Sequence, residues 1–466
     1  MGDEPTSQTL LLVCGARSVP ISLAMTAEAL QQASARGIRT WVAAPADVLA
    51  ATPTVFAAAD VVSAVGFQDP QEGVAWVLRQ VAEGERPDAV FALQEMAQVT
   101  VAEVARAAGA PGNPPDAVRR IRTKDACRSA LHAAGFRQPA VRLCAGAADA
   151  EAFLAEALLA GSSGPWIVKP RDAMGSVGVS QVNGPAALPG AIALLPDTKP
   201  FLVEESVQGP EFSVEGVFID GAPRILAVTA KEKVAPPFFV EIGHLLPAEL
   251  PSEQREEMER QVVAALTHLQ LRAGAFHVEL WLTPDGVVLG EVHGRFGGDW
   301  IHRMLHHAIP GLELFGLVYD DMLGRPIDRD ALAPVRGAAV RYFTPAPGRL
   351  ESITGWEQLL AHPALLHAEL TVSPGDVIRP LHRSGDRVGL VVVGADSAAQ
   401  ADELALELIS SVTFTVSPLP AVPAAPAAPA APAAPAAPGA PGAPVTPTAP
   451  AEQLVEEGVE PVGTGA

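Results

Sequence analysis

A chain of 466 residues with 48% hydrophobic composition can bury more than one core, so two or three domains are expected. Its formal net charge of -21 sets aside non-specific nucleic-acid binding and adhesion to anionic membranes, and leaves a small molecule as the natural ligand. Cys14, Cys127 and Cys144 are too few and too scattered for a disulfide framework or a zinc site. With no signal-peptide pattern over residues 1–9 and no apolar run near the ~20 residues that span a bilayer, the expected location is the cytoplasm.

Residues 9–14 (TLLLVC) read as a buried strand, followed by Gly15, a helix over 22–35 and a second strand over 38–44. A further strand at 89–93 and a helix at 98–108 that stops at Gly109 complete a small open α/β domain over residues 1–115. No GxGxxG follows the first strand, so Gly15 and Gly37 are structural glycines and not a dinucleotide fingerprint. Pro114, Pro115 and Asp116 then start a helix that runs from 117 to 134 and carries Arg122 and Lys124. On its own, Lys124 reads as a surface charge.

After a helix at 151–160, the strand WIVK ends on Lys169, and residues 171–182 form a Gly-Ser turn returning into an alternating strand. A lysine beside Gly175, Ser176 and Gly178 suits phosphate, because glycines let amide N–H groups approach anionic oxygens; a plain hairpin is the competing reading. The strand FLVEESV over 201–207 carries consecutive acids that lie on a solvated face or accept hydrogen bonds from a nucleotide. A break at 209–211 leads to strands over 212–219 and 224–230, then Lys231, Lys233 and the apolar run 238–246 with Glu241 and His244 embedded. A helix over 252–269 with Ser252 at its cap follows.

Residues 276–299 (FHVELWLTPDGVVLGEVHGRFGGD) are the centre of the chain. Two alternating runs flank Pro284, Asp285 and Gly286, which is a hairpin signal. A hairpin symmetric about Asp285 sets Glu279 opposite Glu291 and His277 opposite His293 on one face. Facing carboxylates repel unless they are solvated on an edge hairpin or neutralised by a divalent cation such as Mg²⁺ shared with substrate phosphates. Arg295 suits a phosphate or carboxylate oxygen, and residues 297–299 let backbone approach a ligand. A helix over 300–308 sets His302 and His306 four apart, a spacing that can ligate a metal but without HExxH reads as a plain helix face.

Strands at 338–344, 368–372 and 388–393 and a helix at 397–411 give a small closing α+β domain. Beyond residue 416 the PAAPAAP repeat and acidic end cannot bury a core and read as a disordered, polyproline-like arm: a passive tail, or a docking site for another protein.

Taken in order, Lys124, VKP with its glycine loop, EESVQGPEFSV, Lys231, HVE and EVHGRFGGD resemble the ATP-grasp superfamily. FFVEIGHLLPAEL, APG at 346–348 and GDRVG at 385–389 make residues up to about 415 resemble its L-amino acid ligase branch, which forms dipeptides. That resemblance implies an ATP-grasp fold: the 1–115 α/β domain, central lobes over 116–330 with a small lobe about 130–207, an α+β subdomain over 331–416, and the tail 417–466. It implies ATP and Mg²⁺ (or Mn²⁺), with Lys124 and Lys169 on phosphates beneath the Gly175, Ser176 and Gly178 loop. Glu204, Glu205 and Val207 would line the adenine hinge and Glu211 the ribose. Glu279, Glu291 and His293 would hold metal, with His293 where many relatives have Asn. Arg295, Lys231 and Glu291 would be catalytic, and Glu241, His244, Gly298 and Asp299 would contact amino-acid substrates. The implied reaction joins an amino acid or small carboxylic acid to an amino acid through an acyl phosphate, in peptide-metabolite biosynthesis, under a lid formed by 175–178 and 231–239; dimers are common among relatives. Two alternatives are an ATP-grasp ligase of nucleotide or carboxylase-type metabolism and a non-catalytic ATP-binding scaffold. The complete charged set Lys169, Glu279, Glu291 and Arg295 argues against the scaffold.

Overall fold

The computed structural model describes residues 7–13, 17–329 and 332–419. The expectations for Cys14, Gly15 and the Pro/Ala-rich stretch from 420 onward lie outside the described residues. Among the described residues, no helix is long and apolar enough to cross a membrane.

Near the N-terminus, strands Val61–Ala64, Arg39–Ala44, Thr9–Val13 and Ala89–Phe91 lie side by side in that order, all parallel. Thr9–Val13 is buried throughout, as a strand covered on both faces must be. The helix Pro70–Ala82 and the half-exposed edge strand Val61–Ala64 were not anticipated. The helix nonetheless has a readable start: the Asp69 side chain accepts from the Gln71 N–H ahead of Pro70.

A second sheet is antiparallel, in the order Val141–Cys144, Phe201–Glu205, Trp166–Pro170, Ser180–Val182, and packs Trp166, Phe153 and Phe201 into its own core. The largest sheet has eight antiparallel strands, running from Gly286–His293 through Ala275–Thr283, Glu211–Ile219, Ala222–Lys233 and Glu241–Leu246 to Gly337–Tyr342, Gly389–Ala395 and Leu365–Leu370. Strands late in the chain therefore complete a sheet begun at Glu211. Helix Ile301–Ala308 lies between this sheet and the parallel one, and Phe91, Phe296 and Phe315 join them edge to face at 5.3–6.0 Å between ring centroids. Together these elements give the mixed α/β and α+β architecture that the resemblance implies.

Three local expectations change. The helix expected over 117–134 is two helices, Pro115–Arg122 and Lys124–Ala133, because Thr123 is extended (φ −111°, ψ 105°). Lys124 thus opens a new helix instead of riding on the side of a long one. Ser252 is the first helical residue after Pro251 and makes no side-chain cap bond. In the hairpin, His277 pairs with His293 as expected, but Leu280 pairs with Leu289, so Glu279 faces both Gly290 and Glu291 across a β-bulge. A Cβ at Gly290 would stand 2.8 Å from the Glu279 carbonyl oxygen, so glycine is what permits the bulge.

Packing in the large sheet is tight at Gly216, where a Cβ would meet the Phe276 ring at 2.1 Å and the Arg224 carbonyl oxygen at 2.5 Å. Gly216→Ala is expected to cost roughly 1–3 kcal/mol, or more if the backbone cannot give, read as a lowered urea midpoint with unchanged slope.

Candidate active site

A cavity of about 180 Å³ lies between the small antiparallel sheet and the large one. Lys124, Lys169, Gly175, Ser176, Glu204, Glu205, Val207, Glu211, Glu241, Glu279 and Glu291 all line it, so most of the residues singled out in the sequence converge. Gly178 borders a neighbouring cavity, and Lys231, His293, Arg295, His244 and Asp299 form the surrounding charged groups described below. A Cβ at Gly298 would meet open space.

The carboxylates and ammoniums are interleaved. Lys231, only 2% exposed, lies 2.8 Å from Glu211, 3.0 Å from Glu279 and 3.4 Å from Glu241. Burial works against its charge, but those three carboxylates hold its pKa well above the usual lysine range. Lys169 is buried beside Glu204 at 2.7 Å, and Arg128 pairs with the same carboxylate, its Nε 2.9 Å away and its Nη2 donating at 3.3 Å. Burial draws the Lys169 pKa down in spite of Glu204, while Glu204 stays depressed, Arg128 and Lys169 outweighing its own burial. Glu291 faces Lys124 at 3.4 Å and Lys169 at 3.8 Å.

His277 sits behind Glu279. Its Nδ1 lies 2.9 Å from Glu215 and its Nε2 3.4 Å from Glu279. Burial opposes charging of the ring, yet Glu215 and Glu279 raise its pKa to about 9, so an imidazolium donates to both. Glu215, which also accepts from Ser213 at 2.7 Å, went unremarked in the sequence. Its signal was present: Glu211, Ser213 and Glu215 alternate along one face of an otherwise apolar strand.

Glu95 is the second residue the sequence did not disclose. It stands just past the C-terminal end of the parallel strand Ala89–Phe91, in the short turn Glu95–Ala97, and is buried. Arg295 and Arg122 donate to it, Arg122 at 2.7 Å, and His293 Nδ1 lies 3.3 Å away. Burial opposes its ionisation, but Arg295, His293 and Arg122 keep its pKa well below the carboxylate range.

On the other side, Asp299 accepts from both Arg387 terminal nitrogens at 2.9 and 2.8 Å, and His244 Nε2 lies 3.0 Å from it. Arg387 falls within the GDRVG motif but was given no role of its own. Asp299 and Trp300 both hold left-handed backbone (φ 51° and 61°), uncommon for residues with side chains. His302 and His306 do not form an exposed helix face: His302 is buried, their rings lie 6.1 Å apart, and His306 Nδ1 lies 2.9 Å from Glu28.

The glycine loop folds over the cavity. Gly175, Ser176 and Gly178 all have positive φ (68°, 56° and 69°), and the Ser176 hydroxyl donates to the Phe239 carbonyl at 3.0 Å. Lys124 donates to the Ala173 carbonyl at 2.9 Å from beneath.

Residues 162–303 match the model of the ATP-grasp domain, and residues 341–417 match that of the L-amino acid ligase C-terminal domain 2. The chain carries both. Among curated proteins, it is 28% identical to carnosine synthase 1 of Gallus gallus over 244 residues, which is 48% of this chain and 26% of that protein. It is 31% identical to the ATP-grasp enzyme fsqD of Aspergillus fumigatus over 128 residues, 25% of this chain and 22% of that protein. The chain thus spans about a quarter of the length of these relatives. Its fold is similar to the crystal structure of an L-amino acid ligase from Bacillus licheniformis (TM-score 0.70, 23% identity, covering 88% of this chain and 99% of that one). It is also similar to phosphoribosylglycinamide synthetase from Anaerococcus prevotii (TM-score 0.64, 16% identity, covering 88% and 100%).

Two consequences of the charge arrangement are measurable. Lys231→Met leaves Glu211, Glu241 and Glu279 without their shared cation, and a loss of about 3–5 kcal/mol in urea unfolding is expected. Asp299 has a depressed pKa, its burial being outweighed by Arg387 and His244. Its contribution to stability is therefore complete above the unfolded-state value of about 4 and lost as pH falls through the depressed one. Asp299→Asn should lower the urea midpoint at pH 7, and its deficit against the unsubstituted chain should narrow as pH is taken below 4.

Proposed function

We propose that this ATP-grasp chain is an ATP-dependent carboxylate-amine ligase, joining an amino acid or small carboxylic acid to an amino acid through an acyl phosphate, with release of ADP and phosphate. The observation that carries this reading is the cavity that Glu279, Glu291, Lys124 and Lys169 line together beneath a glycine loop, with Lys231 buried against Glu279. The matched C-terminal domain of L-amino acid ligases supports amino acids as the substrates over nucleotide or carboxylase-type metabolism. Two of the curated relatives are named as synthases, which agrees with a joining reaction. We keep the division of the chain at about residues 115, 330 and 416 as part of the same proposal.

In this reading Lys124 and Lys169 bind ATP phosphates, with the loop of Gly175, Ser176 and Gly178 above them. The charge of Glu204 is committed to Lys169 and Arg128, so it orients the lysine, while Glu205 and the backbone at Val207 meet the adenine and Glu211 the ribose. Glu279 and Glu291 suit a hard divalent cation. An ion held by these two carboxylates would take its remaining ligands from phosphate and water. Bound there, Mg²⁺ or Mn²⁺ would supply positive charge to the phosphate oxygens. His293 shares Glu95 with Arg295 through Nδ1 and turns Nε2 to within 3.6 Å of Glu291, so we keep it as a third ligand that Glu95 orients.

A substrate carboxylate oxygen attacks the γ-phosphorus, and the bond from that phosphorus to the ADP oxygen breaks. Lys231 and Arg295 balance the charge on the transferring group and on the acyl phosphate. The amine nitrogen of the second substrate then attacks the acyl carbon, Arg295 stabilises the oxyanion, and phosphate departs with the former carboxylate oxygen and takes up the amine proton. Glu241, His244, Gly298 and Asp299 border the amino-acid side. The lid of 175–178 against Phe239 keeps water from the acyl phosphate.

Phosphate release from ATP with Mg²⁺, measured across pairs of amino acids and small acids, tests the proposal. Release should require both an acid and an amine, and Glu291→Gln should lower it at least about 100-fold. Release with bicarbonate alone would favour the carboxylase-type alternative, and no release with any pair would count against the ligase.

A further inference from the structure

The turn made by residues 382–387 touches both halves of the site at once. Its own shape is fixed, because the Asp386 carboxylate accepts from the His382 and Arg383 N–H groups at 3.2 and 3.1 Å around the short helix Ser384–Asp386. On the lid side, the Ser384 N–H donates to the Gly175 carbonyl at 3.1 Å, and the His382 ring stacks on Phe238 with centroids 4.0 Å apart. On the substrate side, Arg387 donates to Asp299 twice and to the Glu241 carbonyl at 3.2 Å. Its guanidinium also lies 3.9 Å from the centroid of the Tyr342 ring and donates through Nε to the Ser384 carbonyl at 3.1 Å.

The partner of Arg387 needs such support. Asp299 and Trp300 are consecutive left-handed residues, a conformation that persists only where surrounding contacts over-determine it. Asp299 is held by the bidentate pair, and Trp300 is stacked under His367, with ring centroids 3.6 Å apart. Both restraints come from residues within the matched C-terminal domain.

Resting on the ligase reading, we propose that the 382–387 turn is a strut coupling closure of the nucleotide lid to the shape of the amino-acid pocket, with Arg387 as the residue that positions Asp299. When the lid lies down, the Gly175 carbonyl and Phe238 seat the turn. The seated turn aims Arg387 at Asp299, and the left-handed 298–300 segment takes its binding shape. Release of the lid frees the turn and lets that segment relax. Filling of the nucleotide site would therefore prepare the acceptor pocket, and by linkage amino-acid binding would tighten the nucleotide.

Hydrogen exchange with Mg²⁺ and the non-hydrolysable analogue AMP-PNP tests this without knowledge of the substrates. In the unsubstituted chain, AMP-PNP should slow exchange both at 175–178 and at 297–301, by at least about fivefold at the second segment. In Arg387→Ala the lid should still be protected while the response at 297–301 is lost, and Arg387→Lys should restore part of it. His382→Ala, which leaves the Arg387 pair intact, should weaken both responses together, and it covers the case in which Arg387→Ala fails to fold. A response at 297–301 in Arg387→Ala equal to that of the unsubstituted chain would overturn the coupling. Nucleotide binding with a silent 297–301 segment in the unsubstituted chain overturns this inference alone, whereas no binding of AMP-PNP at all overturns the ligase reading and this inference with it.

Discussion

Charge neutralisation inside the large sheet is the constraint on which the rest depends. Glu211, Glu241 and Glu279 come from three strands and project toward one another in a half-buried space, an arrangement that mutual repulsion would open unless a cation stood between them. Lys231 is that cation, and it can serve all three because its strand lies between those of Glu211 and Glu241, with the strand of Glu279 beyond Glu211. The ordering of antiparallel strands thus fixes which side chains can share one ammonium. The same logic continues through Lys169 with Glu204, and through Lys124 with Glu291.

Several charged groups in and around the cavity are in turn backed by a further group from elsewhere in the chain. Glu279 is oriented by protonated His277, which itself needs Glu215. Arg295 is held by Glu95 from the parallel sheet, and Asp299 by Arg387 from the late strands. Three segments far apart in sequence therefore contribute a charge to one site, which ties the parallel sheet and the late strands of the large sheet to the same place. Removal of a backing group leaves its partner buried with less compensation for its charge, a larger penalty than loss of the contact itself.

Much of this was legible along the chain. Buried strands bounded by glycine and proline, the hairpin about Asp285 and the glycine loop after Lys169 all stood out because period-two alternation and turn residues are local signals. The bulge opposite Glu279 was not legible, since a one-residue shift depends on how closely Gly290 can approach a neighbouring carbonyl, and that is a fact of three dimensions. Nor was the break at Thr123, where helical composition on both sides hides a single extended residue. Glu95 was silent because its neighbours in sequence, Gln94 and Met96, say nothing of Arg295, which stands two hundred residues later. Arg387 lay within a motif that had been noticed, yet its meaning comes only from Asp299, another long-range pairing.

The cavity in its present form holds about 180 Å³, below the roughly 300–1,000 Å³ typical of pockets that enclose cofactors. Room for a nucleotide would come from movement of the positive-φ loop of Gly175, Ser176 and Gly178, which borders the site. Its closed position rests on single hydrogen bonds, from Ser176 to Phe239 and from Ser384 to Gly175, each worth about 1 kcal/mol net. The floor is built from ion pairs that are buried, multiply bonded and drawn from rigid strands. That asymmetry suits a site that must admit a nucleotide quickly while keeping Lys169, Glu279 and Glu291 within a fraction of an ångström of their working places. A lid held as strongly as the floor would exclude water equally well but would also exclude the substrate.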